Sequence, residues 1–363
     1  MLCLTGDVMT GRGVDQILPA PGNPRLWERY TASALSYVRL AEGVSGPIPR
    51  PVDPMWPWGD ALRVLDERAP DVRVVNLETS VTRSDDRQAG KAVHYRMSPD
   101  NIACLTAARI DACALANNHV LDFGVRGLEE TLDALTRAGL PHAGAGRTEE
   151  QAWRPVVVES GAHRLLLWSV ATDSSGVSST WAAGPDRAGV AFLPDLSAAT
   201  ADHLGQRVRS IRRPGDTAVV SVHWGSNWGY DVPRAQVRFA HRLVDGGVDV
   251  VHGHSSHHPR PIEVYRGKLV LYGCGDLVND YEGIAGWADY RDDLRLLYLP
   301  RLDPGTHDLK ELRMVPLQAR QMRLHHASAR DAEWLRGVLH KVSRRFGSRV
   351  DLDPDGGLVL RSA

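Results

Sequence analysis

Short apolar runs rich in β-branched residues alternate with amphipathic stretches along most of this 363-residue chain. The apolar runs predict buried strands over residues 2–5, 72–75, 112–115, 156–158, 165–170, 217–222, 248–251 and 269–272. Between several of them, apolar residues recur at spacings of three and four, which predicts helices over residues 58–68, 101–108, 127–138, 196–211 and 235–244. This alternation predicts an α/β protein whose sheet is covered by helices on both faces.

The length of the chain allows one large domain with extensions. We expect the core domain to cover residues 1–300. Within it, residues 19–57 carry eight prolines and are predicted to be an inserted lid or rim segment. Residues 301–363 are predicted to form a small C-terminal appendage that packs on the core, with a helix over residues 331–345 and a hairpin in DLDPDGGLVL.

Composition excludes several classes of protein. Lys and Arg total 43 against 44 Asp and Glu, so no global field attracts nucleic acid or an anionic membrane. The N-terminal residues contain neither a signal peptide nor a membrane-spanning stretch, and we expect a soluble, cytoplasmic protein. Four scattered cysteines fit reduced thiols in that compartment: Cys3, Cys104, Cys113 and Cys274.

Polar residues that suit metal binding or acid–base chemistry directly follow five of the predicted strands. These strand-end residues are Asp7, then Asn76 and Glu78, then Asn117, Asn118 and His119, then His223, and finally His252 and His254. Ligand sites in open α/β sheets lie beyond the carboxyl ends of the strands, so we expect the five clusters to converge on one crevice. A borderline cation such as Zn, Mn or Fe accepts this mixture of imidazole and oxygen ligands.

The order of these residues resembles the signature of calcineurin-type metallophosphoesterases. More narrowly, the segments GDVMTGR, NLETS, ANNHVLDFG, HWG and GHSSHHPRPIEVYRGKLVLYGCGD are similar to the CapA family of poly-γ-glutamate capsule-synthesis proteins. The resemblance runs from about residue 2 to residue 282. It implies a four-layer αββα sandwich with the site at its edge, and a general acid at His119. The metal ligands that it implies are Asp7, Glu78, Asn118, His223, His254 and His257.

Two departures from the phosphoesterase pattern leave the metal content open. The D-x-H of the pattern is Asp7-Val8-Met9 here, which places a thioether, a poor ligand for Zn or Mn, where the pattern has a histidine. The second motif offers Asn76 and Glu78, so Glu78 would have to be the carboxylate that bridges two metals. Two metals, one metal and a metal-free acid–base site are all compatible with the sequence.

The HGHSSHH run places four histidines within seven residues, which indicates a metal or catalytic cluster. His254 and His257 are the expected members of that cluster. His252 lies still within a strand and His258 lies beside a proline, so core or surface roles are expected for these two.

Neighbouring polar residues are expected to support the site. Asp122 would accept a hydrogen bond from His119 and orient it, or would cap a helix. Asp276 is either a site residue or a turn former. Asn76 and Asn117 are the remaining candidates for supporting contacts.

Two sets of side chains are candidates for substrate contacts. The first consists of three cations that would clamp a carboxylate or phosphate, or would be solvated surface charges: Arg12, Lys91 and Arg96. The second consists of aromatic residues that would form a wall for an extended or apolar-tipped substrate such as a peptide, or would cover loop edges: Trp224, Trp228, Tyr230 and Trp287.

We predict a metal-dependent hydrolase or transferase with one or two Mn, Zn or Fe ions, in which Asp7, His119 and His257 carry the catalysis. Its substrate would be a γ-glutamyl amide, as in poly-γ-glutamate, or a phosphoester. One alternative is a metal-free peptide epimerase, in which Asp7 and either His254 or His257 exchange the proton of a peptide Cα. A second alternative is a non-catalytic subunit that binds poly-γ-glutamate. The sequence does not determine the oligomeric state.

Overall fold

Two large β-sheets form the centre of the protein in a computed structural model that describes residues 1–161 and 163–362. The described strands are β1 (Leu2–Val8), β2 (Val72–Leu77), β3 (Ser80–Val81), β4 (Arg96–Met97), β5 (Ala112–Ala114), β6 (His142–Ala143), β7 (Ala145–Gly146), β8 (Val156–Ser160), β9 (His163–Ala171), β10 (Gly189–Val190), β11 (Thr217–His223), β12 (Val250–His254), β13 (Ile262–Tyr265), β14 (Lys268–Leu271), β15 (Asp276–Val278), β16 (Leu294–Leu302), β17 (Leu309–Arg320), β18 (Arg323–His326), β19 (Ser348–Leu352) and β20 (Leu358–Ser362). The described α-helices are α1 (Gly13–Ile17), α2 (Leu35–Ser45), α3 (Asp60–Arg68), α4 (Ala103–Thr106), α5 (Gly124–Arg137), α6 (Glu149–Trp153), α7 (Ala198–Ile211), α8 (Arg234–Asp245) and α9 (Ala329–Ser343). Every strand and helix predicted from the apolar patterns is present, with small shifts at its ends.

The larger sheet has ten strands, eight of them in the order β19-β20-β17-β16-β1-β2-β5-β6, with β15 paired to β1 and β18 paired to β17. Strands β15, β1, β2, β5 and β6 pair in parallel, and the strands from β16 onward pair antiparallel. The smaller sheet has six strands in the order β13-β14-β12-β11-β9-β8, with β9, β11, β12 and β14 parallel. The strands that end in the polar clusters, β1, β2, β5, β11 and β12, are all parallel strands of these two sheets.

The two sheets face each other across an apolar core. Leu4 and Val74 from the larger sheet belong to the same buried cluster as Val219 and Val250 from the smaller sheet. Residues at alternate positions along these strands share a face, so the neighbours of Val219 and Val250 in sequence point outward. This core fixes the relative placement of the two sheets.

Helices cover the outer faces of both sheets. Leu65 of α3 and Leu128 of α5 pack in the cluster on the outside of the larger sheet. Leu204 of α7 and Phe239 of α8 pack in the cluster on the outside of the smaller sheet. The order helix, sheet, sheet, helix confirms the predicted four-layer αββα sandwich.

The two extensions are integrated with this sandwich. The proline-rich segment contains α2, and its Val38 and Val52 join the outer core of the larger sheet. The C-terminal residues supply β17 to β20, which continue the larger sheet, and the expected hairpin is the antiparallel pair β19–β20. The domain boundary expected after residue 300 falls inside β16. One face of β17 is only half-buried, which explains why a sheet strand has the polar, basic composition that suggested an appendage.

Within residues 1–161 and 163–362, we find no helix with the length and apolarity needed to cross a lipid bilayer.

Candidate active site

The register of the smaller sheet brings four polar side chains to its inner face. Strands β11 and β12 pair in parallel so that Ser221 lies opposite His252 and His223 lies opposite His254. Because side chains two residues apart share a face, all four point toward the larger sheet, at the carboxyl ends of both strands. In the run V-V-S-V-H over residues 219–223, Val220 and Val222 pack in the outer core, Val219 packs between the two sheets, and the two polar residues reach the site.

The larger sheet brings the carboxylates. Asp7 at the end of β1 lies opposite Asn76 of β2 on one side and opposite Asp276 of β15 on the other. The chain must bend closely around β15 at this point, because a Cβ atom on Gly6 would lie 1.7 Å from the carbonyl oxygen of Gly275. Only glycine is compatible with that approach.

Two groups of potential metal ligands meet at Asp7. One consists of Asp7, His223 and His254, and the other of Asp7, His257 and Asp276, with the donor atoms of each group within 4.8 Å of one another. All five residues are buried. His223 Nδ1 lies 2.7 Å from His254 Nδ1, and His257 Nδ1 lies 2.9 Å from Asp276 Oδ1.

The chemistry of these residues fits a divalent cation. Asp7 Oδ2 is buried and has no hydrogen-bond partner among the described residues, so it is an available ligand atom. Burial lowers the pKa values of His223 and His254 well below their usual range, which keeps both rings in the neutral form that binds metal. Burial, and then the charge of Asp276, raises the pKa of Asp7 to about 7. A cation would relieve that electrostatic cost.

Glu78 lies in the same carboxylate cluster but outside both ligand groups. Asn76 Nδ2 donates to Asp7 Oδ1 at 2.8 Å and to Glu78 Oε2 at 3.0 Å, and so bridges the two carboxylates. Asn117 in turn donates to Asn76 Oδ1 at 3.1 Å. Burial, and then the neighbouring Asp7, raises the pKa of Glu78 well above its usual range. The structure therefore places the carboxylate common to both groups at Asp7 rather than at Glu78.

Asn118 and His119 close the crevice from the end of β5. Asn118 Oδ1 lies 3.1 Å from His223 Nε2, and His119 Nε2 lies 3.8 Å from Glu78 Oε1. His119 Nδ1 lies 2.6 Å from Asp122 Oδ2, while helix α5 begins after Phe123 with no side-chain cap. Asp122 thus orients His119 and does not cap the helix. Burial lowers the pKa of His119 to about 4 against the opposing effect of Asp122, so the ring is neutral in the free protein.

The three cations considered as substrate clamps are all held by protein groups. Their partners are Asp280 and Glu28 for Arg12, the Asn118 carbonyl and Asp122 for Lys91, and Asp85 with the Ser84 and Asn23 carbonyls for Arg96. Arg12 and Arg96 are buried and Lys91 is half-buried, so the three are not solvated surface charges. Because protein groups already hold them, they are not free to clamp a substrate either. Lys91 still belongs to the site, because it holds Asp122 beside His119.

Three of the four aromatic residues considered for a substrate wall cluster beside the crevice, and we call this cluster the aromatic wall; its contact with substrate stays a prediction. Trp224 is buried between Phe239 and Tyr272 in the outer core of the smaller sheet, and its indole N–H donates to the Tyr272 carbonyl at 3.0 Å. It does not reach the crevice. Trp228 lies with its ring centre 5.4 Å from that of His257 and stacks on Trp287 at 4.2 Å.

The remaining rings of the aromatic wall surround His258. Tyr230 meets His258 edge-on at 4.6 Å, and Tyr290 stacks on the same ring at 4.6 Å. His258 thus belongs to this wall, and neither ligand group contains it or His252. Sequence reasoning missed Tyr290.

A segment after β15 supplies site residues that sequence reasoning also missed. Asn279 donates to Asp276 Oδ2 at 2.6 Å, and the Tyr281 hydroxyl lies 3.3 Å from His257 Nε2. Asp276 itself lies in a strand, so its turn-forming alternative does not hold. The run Asn279-Asp280-Tyr281 directly follows a strand, and the strand-end rule that found the other clusters would have found this one.

The family model and the curated relatives that match this chain agree with the motifs. The family model described as "Bacterial capsule synthesis protein PGA_cap" matches residues 1–281. A probable polyglutamine synthesis accessory protein of Mycobacterium tuberculosis is 55% identical over 98% of this chain and 94% of its own. The PGA biosynthesis protein CapA of Bacillus subtilis is 29% identical over 64% of this chain and 58% of its own. A 5'-nucleotidase precursor from Thermus thermophilus aligns with a TM-score of 0.48 and 17% identity, covering 87% of this chain and 54% of that one.

Proposed function

Since this chain belongs to the bacterial capsule synthesis protein family PGA_cap, we propose that it is a metal-dependent hydrolase or transferase acting on a γ-glutamyl amide. A phosphoester is the other substrate class that the same donor set suits. The names of the relatives, which refer to polyglutamine synthesis and to PGA biosynthesis, favour the amide.

One observation carries this proposal. Asp7 belongs to two separate groups of buried ligand residues, and its Oδ2 atom has no hydrogen-bond partner in the described part of the chain. A buried carboxylate oxygen without a partner is costly unless a proton or a cation compensates it. His223, His254, His257 and Asp276 are the residues that would hold a cation there together with Asp7. A bound divalent cation supplies a Lewis acid that polarises the scissile carbonyl or phosphoryl group and lowers the pKa of water.

His119 is the residue that would move the proton. Its Nδ1 atom lies 2.6 Å from Asp122 Oδ2 and 3.0 Å from Lys91 Nζ. Lys91 donates to the Asn118 carbonyl and to Asp122, and the ionised carboxylate can only accept, so the Nδ1 proton is donated to Asp122 and Nε2 carries a lone pair. In hydrolysis, Nε2 takes a proton from water as the water oxygen bonds to the carbonyl carbon. It then returns the proton to the leaving nitrogen as the carbon–nitrogen bond breaks. His119 is thus first a base and then the acid that the resemblance implies.

The direct test is elemental analysis of protein purified without added metal or chelator. We expect about one or two Zn, Mn or Fe ions per chain in the wild type, and none in the double variant His254→Ala/His257→Ala. His203→Ala is the matched control, because His203 is an exposed histidine on helix α7, remote in sequence from every ligand residue. Absence of metal in the wild type, even after Mn²⁺ or Zn²⁺ is supplied, would contradict the proposal.

One observation favours the metal-free epimerase as a second candidate. Burial lowers the pKa of His257, but Asp276 and Asp7 more than offset this and raise it, while the pKa of Asp7 is raised to about 7. Two neighbouring groups whose pKa values are both raised suit proton exchange at a carbon acid, since one can donate a proton while the other accepts one. Incorporation of solvent deuterium at a peptide Cα by metal-free protein would support this candidate. Such exchange should be lost in His257→Ala.

A further inference from the structure

A chain of hydrogen bonds links the candidate ligand His254 to the opposite sheet. His254 Nε2 lies 2.7 Å from Ser221 Oγ, and the same hydroxyl lies 3.0 Å from His252 Nδ1. His252 Nε2 lies 2.7 Å from the carbonyl oxygen of Thr5 in β1. All four residues are buried, so water does not offer alternative partners.

The last member of this chain fixes the direction of every bond before it. The Thr5 carbonyl can only accept, so the proton between it and His252 belongs to His252 Nε2. A neutral imidazole that carries its proton on Nε2 has a lone pair on Nδ1, and the Ser221 hydroxyl must donate to it. The Ser221 oxygen then accepts from His254, which places the proton of His254 on Nε2.

This reasoning requires that His252 be neutral, and its surroundings keep it so. The ring has no exposed surface, and its hydrogen-bond partners within the described chain are a hydroxyl group and a backbone carbonyl. A fully buried ring whose partners within the described chain include no carboxylate is disfavoured in its charged form.

We propose that Ser221 and His252 are positioning residues, which hold His254 with its proton on Nε2 and its Nδ1 lone pair turned toward His223 and Asp7. In the other tautomer, His254 Nδ1 would carry the proton and could not bind a cation. The consequence for metal binding rests on the proposed function, whereas the tautomer itself does not.

The site geometry explains why the tautomer of His254 has to be fixed by neighbouring residues. His254 Nδ1 lies only 2.7 Å from His223 Nδ1, so a proton could reside on either nitrogen and join the two rings by a hydrogen bond. The Ser221 hydroxyl removes this option for His254. In the resulting arrangement, the Nδ1 lone pair of His254 faces His223 Nδ1, within the ligand group that also contains Asp7, without any rotation of the ring.

The first measurement is the tautomer of His254 in metal-free protein, read from two-bond ¹⁵N–¹H correlations of ¹⁵N-histidine-labelled samples. The resonance is assigned by its loss in His254→Ala. We expect the Nε2–H tautomer in the wild type and a loss of that preference in Ser221→Ala. Ser221→Thr, which retains the hydroxyl group, should restore the wild-type pattern.

Ser169→Ala is the matched control. Ser169 lies opposite Ser221 in the neighbouring strand β9 and is equally buried, but its hydroxyl accepts from the Ala116 backbone N–H at 3.1 Å. It should lose a similar amount of stability and leave the His254 tautomer unchanged. If Ser221→Ala changed the His254 tautomer only by loosening the sheet, Ser169→Ala would change it as well. A change confined to Ser221→Ala therefore comes from the lost hydroxyl group.

The second measurement is the dissociation constant for Mn²⁺. We expect Ser221→Ala to weaken binding by about 10- to 100-fold, with Ser169→Ala and Ser221→Thr within about 3-fold of the wild type. A wild-type His254 protonated on Nδ1 would overturn the proposal, and so would equal Mn²⁺ affinities of Ser221→Ala and Ser169→Ala. If the wild type binds no metal, the proposed function fails. The tautomer measurement alone then decides whether Ser221 and His252 fix the proton of His254 on Nε2.

Discussion

Asp280→Asn should destabilise the protein strongly, because it removes the main partner of a buried guanidinium group. Arg12 donates to Asp280 from Nε at 3.0 Å and from Nη2 at 2.5 Å, and both side chains are buried. Its guanidinium group also lies 3.7 Å from the ring centre of Tyr37 and 3.1 Å from Glu28 Oε1. Breaking one side of a buried ion pair costs about 3–5 kcal/mol. An unfolding entropy of about 2.1 cal/mol/K per residue gives about 0.8 kcal/mol/K for 363 residues, so Tm should fall by roughly 4–7 °C.

Calorimetry of Asp280→Asn and of an exposed control measures this shift. The control is Asp133→Asn, which breaks the half-exposed pair Arg147–Asp133 at 2.8 Å and should change Tm by less than about 1 °C. Equal shifts for the two variants would refute the view that Arg12 is a structural residue of the core. Arg12 would then remain a candidate for substrate binding.

Three further results are expected. Burial is the main cause that raises the pKa of Asp7 to about 7, from about 3.9 in the unfolded chain. The stability that protonation of Asp7 contributes is therefore complete below about pH 4, and it is lost as the pH rises through about 7. Metal-free Asp7→Asn should therefore melt above the wild type at pH 8, with a smaller difference at pH 5, and equal differences would contradict this. Trp224→Ala should cost about 3–5 kcal/mol, whereas Trp228→Ala, at a half-exposed loop ring, should lower Tm by less than about 2 °C in the same calorimetric assay. The four cysteines are buried thiols, so a thiol reagent should modify none of them before unfolding, and rapid labelling of native protein would show the burial to be incorrect.

The strands and the convergence of their ends were predictable from local information. Apolar runs mark buried parallel strands without knowledge of their partners, and the polar residue after each run marks the sheet edge. Asp7, His223 and His254 were found in this way, and the structure brings their donor atoms within 4.8 Å of one another. Their proximity was predictable because the strand-end rule needs only the order of residues along the chain.

The partners of the site residues could not be predicted, because they depend on contacts between distant segments. Arg12 and Asp280 are 268 residues apart, and nothing in the sequence near either residue indicates the other. Asp276 similarly acquires its role from pairing with β1, which places it opposite Asp7. Trp224 directly follows a strand-end histidine, yet its side chain turns to the outer core. The alternation of faces along the strand would have indicated this direction.

The hydrogen bonds around Asp7 bear on the number of cations that the site can hold. Oδ1 accepts from Asn76, whose amide also donates to Glu78, while Oδ2 has no partner within residues 1–161 and 163–362. One cation can therefore bind through Oδ2 without breaking a hydrogen bond. A second cation that used Oδ1 would have to displace the Asn76 amide, and leaving a buried polar group unpaired costs about 1–3 kcal/mol. Since 1.4 kcal/mol corresponds to about tenfold in affinity, the second cation should bind roughly 5- to 150-fold more weakly than the first. Under the proposed function, the carboxamide at position 76 would thus favour one tightly bound cation, although the donor residues of the crevice would suffice for two.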